Sequence, residues 1–435
     1  MVWEFAELVG RRLIVWALAS VAAGIALLLA GDAFWRGVGA QALVWGAIDG
    51  AIGLGGLRGA ARDRRKGRGD PDAPAAAAKK LRRLLYLNGG LDVLYVAGGL
   101  ALAGPFSGGD PFTIGSGWGI VVQGGFLLVF DLVHARLVPA ATPFLPGDLA
   151  LFAGPEHRPF ELGPGGDGGS TGPGAPTALL VHGFAGTPAE MRPLGEALAG
   201  AGWRVRAPLL PGMGEGIGEL TERTHGDWLD AVHEAGEPLR GAGGPLLLVG
   251  YSLGGALSLA AAERLRPDGL VLIAPFWWPR PRWWPAAGLV RAFLPTGARP
   301  FARLDLAAPD VRQGIAAFLP GLDLDDPAVE AALREARIPI GTFTELFRIS
   351  IRAHDAVRRL DLPVLVVQGT RDEVVRPERT RTLVAAFRRA VGIVELDAGH
   401  DLVGARAADP AAVHGPVLEF AASLRDGTAP ARTAA

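Results

Sequence analysis

Leu246-Leu247-Leu248-Val249-Gly250-Tyr251-Ser252-Leu253-Gly254-Gly255-Ala256 decides the fold of this 435-residue chain. Four consecutive aliphatic residues read as a buried strand, and the alanine-rich segment 256–262 reads as a helix. Between them stands G-x-S-x-G, a pattern that acquires chemistry only in the order strand, sharp turn, helix. A serine on so tight a turn needs neighbours without Cβ atoms, because the backbone is strained and the helix must pack close to the strand. The turn lifts the serine Oγ out of the sheet and sets the Leu253 amide beside it. With 63 glycines in the chain the pattern also arises by chance, so its weight comes from two other regions.

Downstream, Pro363-Val364-Leu365-Val366-Val367-Gln368 reads as a buried strand that ends in Gly369-Thr370-Arg371-Asp372. A second strand, Ile393-Val394-Glu395-Leu396, ends in Asp397-Ala398-Gly399-His400. A serine hydroxyl is almost un-ionised at neutral pH, so it needs a base in hydrogen-bond reach and an acid to orient that base. Ser252, Asp372 and His400 supply these three types, each just past a strand end. Glu373 is the alternative acid, with its side chain directed away from the turn; the alternative for His400 is a capping or surface histidine. Upstream, the strand Ala178-Leu179-Leu180-Val181 runs into His182-Gly183-Phe184, which offers the Phe184 amide as a second oxyanion donor. His182 reads as a structural residue holding this loop rather than a proton carrier.

These segments resemble the α/β-hydrolase superfamily, and within it the bacterial monoacylglycerol lipases and carboxylesterases. The resemblance rests on His182-Gly183-Phe184-Ala185-Gly186-Thr187-Pro188, Met191-Arg192-Pro193-Leu194, Leu210-Pro211-Gly212, Asp227-Trp228, Gly250-Tyr251-Ser252-Leu253-Gly254-Gly255, Gly369-Thr370-Arg371-Asp372-Glu373-Val374-Val375 and Gly399-His400. It covers about residues 148–425. It implies a mostly parallel, eight-stranded-type sheet with helices on both faces and a cap, about residues 276–360, inserted after the strand at 270–273. It also implies acyl transfer through Ser252, His400 and Asp372, with Phe184 and Leu253 as oxyanion donors and no metal or organic cofactor. The same triad serves amide hydrolysis, acyl transfer to another acceptor and cofactor-free haloperoxidation. A different reading is a membrane sensor or transporter component whose hydrolase-like domain only binds a ligand. One departure stands at Met213-Gly214, where the family has His-Gly; Met213 therefore bears on substrate fit.

Mean hydropathy is positive, and the excess lies in the first 140 residues. Residues 13–30, 37–57, 84–104 and 117–138 are four apolar stretches of spanning length, since about 20 helical residues cross a hydrocarbon core. An all-α transmembrane region over residues 1–140 is expected, with membrane lipids as its surroundings. Glu4 and Glu7 precede the first stretch, which argues against a cleaved signal peptide. Arg58, Arg62, Arg64, Arg65, Lys66, Arg68, Lys79, Lys80, Arg82 and Arg83 lie between the second and third spans, whereas residues 105–116 hold no lysine or arginine. Arg11 and Arg12 precede the first span. This bias places both ends, and the hydrolase, on the cytoplasmic side of a cell membrane. Net charge is −1, and no basic patch interleaved with aromatics argues for nucleic acid. The chain has no cysteine, which excludes disulfides and thiolate chemistry. Its oligomeric state is not legible.

Gly46-x-x-Asp49 followed by Gly55-Gly56 recurs as Gly89-x-x-Asp92 followed by Gly98-Gly99. With Asp131, these carboxylates fall at similar depth, roughly 10–12 Å from the cytoplasmic ends at the helical rise. His134 shares the face of Asp131. Two readings stay open: a functional polar layer that shares protons or binds a cation or polar headgroup, or carboxylates tied to Asn88, Gln123 or helix ends as packing elements.

The stretch 163–174, rich in glycine, looks like a domain linker. Segments at 149–152 and 159–162 resemble the first strand or hairpin of the sheet, so the glycine run is read as a loop inside the hydrolase. The boundary then falls near 145–148, with a short tether. Pro275-Phe276-Trp277-Trp278-Pro279-Arg280-Pro281-Arg282-Trp283-Trp284-Pro285 holds four of the 11 tryptophans. Trp277, Trp278, Trp283 and Trp284 are read either as a lid wall contacting lipid or an acyl chain, or as an aromatic cap core. Helices at 326–337 and 341–358 complete the cap, and residues 426–435 form a disordered tail.

Overall fold

The computed structural model describes residues 2–67, 72–139, 152, 154–164, 174–278, 297–299, 301–309, 311–312, 315, 323–336, 338–404, 407 and 409–428. The chain divides into two compact units, Met1–Thr142 with Arg282–Ala298, and Pro143–Pro281 with Arg299–Ala435.

The first unit contains α1 (Val2–Ala30), α2 (Ala33–Lys66), α3 (Ala73–Ala103) and α4 (Pro111–Leu137). All four are long and apolar enough to cross a membrane. Asp32 caps α2 by accepting the Trp35 N–H at 3.0 Å, and Asp110 caps α4 by accepting the Thr113 N–H at 2.8 Å. The basic region read as a loop is largely helical: α2 continues to Lys66 and α3 starts at Ala73. Arg and Lys are good helix formers, and lengthening an existing helix costs far less than starting one.

Small residues set how closely these helices approach. A Cβ on Gly24 would lie 2.8 Å from the Gly39 oxygen, one on Gly46 2.9 Å from the Ala17 oxygen, and one on Gly53 2.9 Å from the Gly10 oxygen. Gly10, Ala17 and Gly24 on α1 are seven residues apart, as are Gly39, Gly46 and Gly53 on α2. A seven-residue seam of small side chains is the pattern of two closely packed, left-handed supercoiled helices. Gly99 and Gly117 do the same between α3 and α4. In the repeated motif, Gly46, Gly89 and Gly99 face neighbouring helices, whereas Gly55, Gly56 and Gly98 face open space. The large apolar residues Leu29, Leu87, Leu94 and Val129 lie on the outside.

The second unit is built on a seven-stranded sheet among the described residues: β1 (Phe160–Leu162), β2 (Thr177–Val181), β3 (Arg204–Ala207), β4 (Leu246–Tyr251), β5 (Gly269–Ile273), β6 (Val364–Gly369) and β7 (Gly392–Leu396). Their order is β1-β3-β2-β4-β5-β6-β7. Only β1 runs antiparallel, pairing Glu161 with Arg206; the other pairs are parallel. β2, β4 and β5 are buried along their whole length, which is why they read as uninterrupted apolar runs. Of the expected first hairpin, 159–162 supplies β1, while 149–151 lie outside the described residues, as do the proposed boundary at 145–148 and most of the glycine run.

Helices cover both faces. α5 (Arg192–Gly200) and α11 (Pro410–Arg425) bury Leu194, Leu198, Val413 and Val417 on one side. On the other, α6 (His225–Arg240), α7 (Leu253–Leu265), α9 (Ile340–Val357) and α10 (Pro377–Val384) bury Trp228, Val232, Leu257, Ile349 and Leu383. Between β5 and β6 lie α8 (Pro327–Glu335) and α9, close to the helices expected at 326–337 and 341–358. α9 packs along α7.

Buried Glu345 fastens α9 to the start of α6. It accepts the His225 Nδ1–H at 2.6 Å, the His225 backbone N–H at 3.2 Å and Arg348 Nη1 at 2.5 Å. Burial alone would push this carboxyl up, but His225 and Arg348 outweigh it and hold it at about 2. A carboxyl depressed in the folded state adds stability above its unfolded value, and that stability is lost as pH falls from about 4.5 toward 2. Glu345→Gln should therefore cost about 3 kcal/mol at neutral pH and flatten the acid limb of the thermal midpoint of the detergent-solubilised protein.

Candidate active site

Ser252 sits between the end of β4 and the start of α7 with φ 50° and ψ −114°, a strained conformation for a residue with a Cβ. The two flanking glycines make it possible. A Cβ on Gly250 would lie 2.3 Å from the Gly254 oxygen, and one on Gly254 would lie 2.0 Å from the Val181 oxygen at the end of β2. The Ser252 carbonyl accepts the Gly255 and Phe276 N–H groups, and its own N–H donates to the Ile273 carbonyl. Leu253 opens α7, so its N–H belongs to the first turn, where helical donors lack intrahelical acceptors.

The loops after β6 and β7 bring Asp372 and His400 to this turn. His400 Nε2 lies 3.1 Å from Ser252 Oγ, and His400 Nδ1 lies 2.7 Å from Asp372 Oδ2. Asp372 is buried, and every side of it is engaged. Its Oδ1 accepts the Val374 and Val375 N–H groups at 2.9 and 2.7 Å, and its Oδ2 also accepts Gln368 Nε2 at 3.2 Å. An ionised carboxylate on Nδ1 selects the tautomer with the proton there, which leaves Nε2 free to accept from the serine. Glu373, the other acid considered, is exposed.

Two anchors were not legible as site residues. Gln368 is held by Thr380 Oγ1 at 2.6 Å and donates to the Gly369 and Val375 carbonyls as well as to Asp372; its one signal is a polar residue closing an apolar strand. Tyr251 donates its hydroxyl to the His400 carbonyl at 3.1 Å. The loop after β2 carries Phe184, whose ring stands edge-on to Trp228 with centroids 6.1 Å apart. His182 is buried, and burial lowers its ring to about 4. Its Nε2 accepts the Leu210 N–H at 3.0 Å, so its proton sits on Nδ1 and is donated to the Gly183 carbonyl at 2.9 Å. That carbonyl belongs to the peptide whose N–H is Phe184's. Both ring nitrogens are thus occupied in shaping the loop.

Met213 and Trp277 are buried in the core cluster against which Phe184 packs, Trp277 with its ring 5.0 Å from that of His354. Trp278 lies edge-on to Phe347 and beneath the Arg379 guanidinium, 3.6 Å from the ring centre. Trp283 and Trp284 lie outside the described residues.

In the helical unit, Asp49, Asp92, Asp131 and His134 are all buried. Asp49 and Asp92 are within electrostatic reach of each other and of Asp131. Asn88 hydrogen-bonds Asp131. Gln123 does not join them; it accepts the Trp16 Nε1–H at 2.9 Å and meets Ser20. His134 donates from Nδ1 to the Phe130 carbonyl, and Arg12 Nη1 reaches its Nε2 at 3.0 Å. Asp49 and Asp92 each keep one buried oxygen without a donor.

Residues 12–132 match a family of unknown function (DUF6992). A thermostable monoacylglycerol lipase of Bacillus sp. (strain H-257) is 30% identical over 207 residues, covering 46% of this chain and 71% of that protein. A carboxylesterase of Bacillus subtilis (strain 168) is 34% identical over 99 residues, 22% of this chain and 40% of its own length. Among solved structures, a monoacylglycerol lipase of Paleococcus ferrophilus is 24% identical with a TM-score of 0.44, covering 61% of this chain and 98% of that one. Residues 175–401, just over half of the chain, match the family described as Serine aminopeptidase, S33; the chain belongs to that family and is an α/β-hydrolase of the lipase and esterase type.

Proposed function

We propose that this protein is a membrane-anchored serine esterase that cleaves carboxylic esters with lipid-like acyl groups, such as a monoacylglycerol or a lysolipid. The observation that carries the reading is the unbroken hydrogen-bond chain Ser252–His400–Asp372 at one edge of a parallel sheet. Similarity to a monoacylglycerol lipase and four helices apolar enough to cross a membrane support the lipid-like substrate.

In this mechanism Ser252 Oγ attacks the ester carbonyl carbon while its proton passes to His400 Nε2. Asp372 stabilises the imidazolium that forms. The Phe184 and Leu253 N–H groups receive the oxyanion, each donor being worth about 3 kcal/mol in sites of this kind. His400 then protonates the leaving alcohol. Water, deprotonated by His400, attacks the acyl-enzyme and releases the acid. The buried apolar surface of Met213 and Trp277 behind Phe184 would favour an acyl chain over a polar one. The hydrolase domain spans about residues 148–425 with its cap near 276–360, on the cytoplasmic side. Asp131 with Asn88, and His134 with Arg12, act as packing elements of the bundle, which leaves Asp49 and Asp92 as the members open to a proton, a cation or a headgroup.

A fluorophosphonate probe should label the wild-type protein and not Ser252→Ala; a wild type that does not label would make the domain a binding module. Against p-nitrophenyl esters of rising chain length, kcat/KM should climb beyond acetate, and p-nitroanilides of the same acids should be poorer substrates. Asp372→Asn should leave the melting temperature close to wild type and lower kcat by about 10⁴, because an amide at this position favours the wrong imidazole tautomer. For orientation, the chain's lack of cysteine permits single-cysteine variants. A membrane-impermeant maleimide applied to intact cells should label Phe106→Cys and spare Lys79→Cys; the reverse pattern would invert the topology.

A further inference from the structure

The oxyanion loop after β2 is strained. Ala185 has φ 58°, a left-handed conformation that a residue with a Cβ keeps only when its surroundings over-determine it. The Gly183 carbonyl is held twice, by the His182 ring at 2.9 Å and by the Gly186 N–H at 3.3 Å. The Gly183 N–H is held by one further group, the Glu190 carboxylate, whose Oε2 accepts it at 3.1 Å.

Glu190 stands in the short 3₁₀ turn Pro188–Met191 and is folded back under the loop. A Cβ on Gly186 would come within 2.3 Å of Glu190 Oε1, so the carboxylate fills the space a side chain at 186 would need. The backbone of Glu190 also supports the loop that follows His400: a Cβ on Gly404 would lie 3.4 Å from Glu190 Cα. Glu190 therefore meets the oxyanion loop through its carboxylate and the loop after His400 through its backbone. The charged and titratable groups that face it are Asp401, next to His400, and the Tyr251 phenol, next to Ser252.

We propose that Glu190 is a positioning residue for the reaction at Ser252: by accepting the Gly183 N–H and filling the space beneath Gly186, its ionised carboxylate holds the Ala185 turn so that the Phe184 N–H points at the forming oxyanion. The proposal rests on the esterase reading above. Charge-assisted hydrogen bonds are roughly twice as strong as neutral ones, and a donor displaced by about 1 Å can cost 10²-fold in rate. Burial, with Asp401 adding to it against the opposing Gly183 bond, pushes Glu190 up to about 7. As pH falls through that value the carboxylate takes a proton and becomes a weaker acceptor, so the anchor loosens on the acid side.

The test uses the full-length protein in detergent, with p-nitrophenyl butyrate kinetics beside fluorophosphonate labelling. Labelling of the wild type at Ser252 is the control for the underlying reading; a wild type that neither labels nor turns over defeats that reading whatever Glu190 does. With an active wild type, Glu190→Ala should lower kcat by about 10-fold to 100-fold while KM stays within about twofold, the signature of an interaction made in the transition state. Glu190→Gln keeps an acceptor oxygen without the ionisation. It should recover kcat to within about threefold of wild type at neutral pH, and its kcat profile should lack the step, of up to about threefold, that the wild type shows as pH falls through about 7. The proposal is overturned if Glu190→Ala keeps kcat within about twofold of wild type, or if Glu190→Gln is no better than Glu190→Ala. Should Glu190→Ala not fold, the Glu190→Gln profile decides: one that keeps the step overturns the proposal, and one that lacks it supports it.

Discussion

The second unit depends on one backbone-to-backbone approach, the contact of the first turn of α7 with the end of β2 across Gly254. The amide plane after Val181 and the start of α7 are so close that no side chain fits between them. That closeness forces Ser252 into a left-handed conformation and leaves the Leu253 N–H in the first turn of α7. The conformation of Ser252 and the position of the Leu253 N–H are therefore products of a single steric constraint. Strain at Ser252 is sustained by the sheet register on either side, where Tyr251 pairs with Ile273 and Val181 with Gly250.

Around that turn the polar side chains are locked by bonds to partners away from the serine. Asp372 is fixed by two backbone N–H groups and Gln368 before it touches His400, and Gln368 is itself fixed by Thr380. His182 spends both nitrogens on the backbone. A buried polar network is stabilising only when its members are satisfied. This one is, and the result is preorganisation: few groups need to turn when charge develops at the carbonyl.

The two units arrange their apolar residues differently. In the hydrolase unit, leucine and valine fill the faces of the sheet. In the helical unit, glycine and alanine hold the seams, Val9, Leu13, Leu85 and Leu127 join a small buried cluster, and other large apolar residues such as Leu29, Leu94 and Val129 lie outside. Close van der Waals packing through small residues is the arrangement used between helices that cross a membrane, where lipid offers no hydrophobic force to drive them together. The seven-residue spacing of Gly39, Gly46 and Gly53 was present in the sequence but was read only through its aspartate-bearing repeat. Half of that repeat, Gly55, Gly56 and Gly98, turns out to face open space.

Several strands and the reactive residue types that follow them were legible from the sequence, because β2, β4, β5 and β6 are buried along their length and so appear as largely aliphatic runs; the strand order was not. Ser252 and Asp372 stood out because each follows such a run, and His400 because it follows the shorter, partly exposed strand β7; all three belong to types that do chemistry. Gln368, Tyr251 and Glu190 carried no comparable mark: a glutamine, a tyrosine and a glutamate take their meaning from what lies opposite them. Trp277 was read as either lid wall or cap core; folding puts it in the core beside His354, since the run of tryptophans did not reveal which rings turn inward. Local sequence encodes periodicity, turn chemistry and the identity of reactive groups, each of which a few neighbouring residues settle. Which side chain reaches which partner across 28 or 148 residues of chain depends on the packing of helices on the sheet, and that is a property of the folded whole.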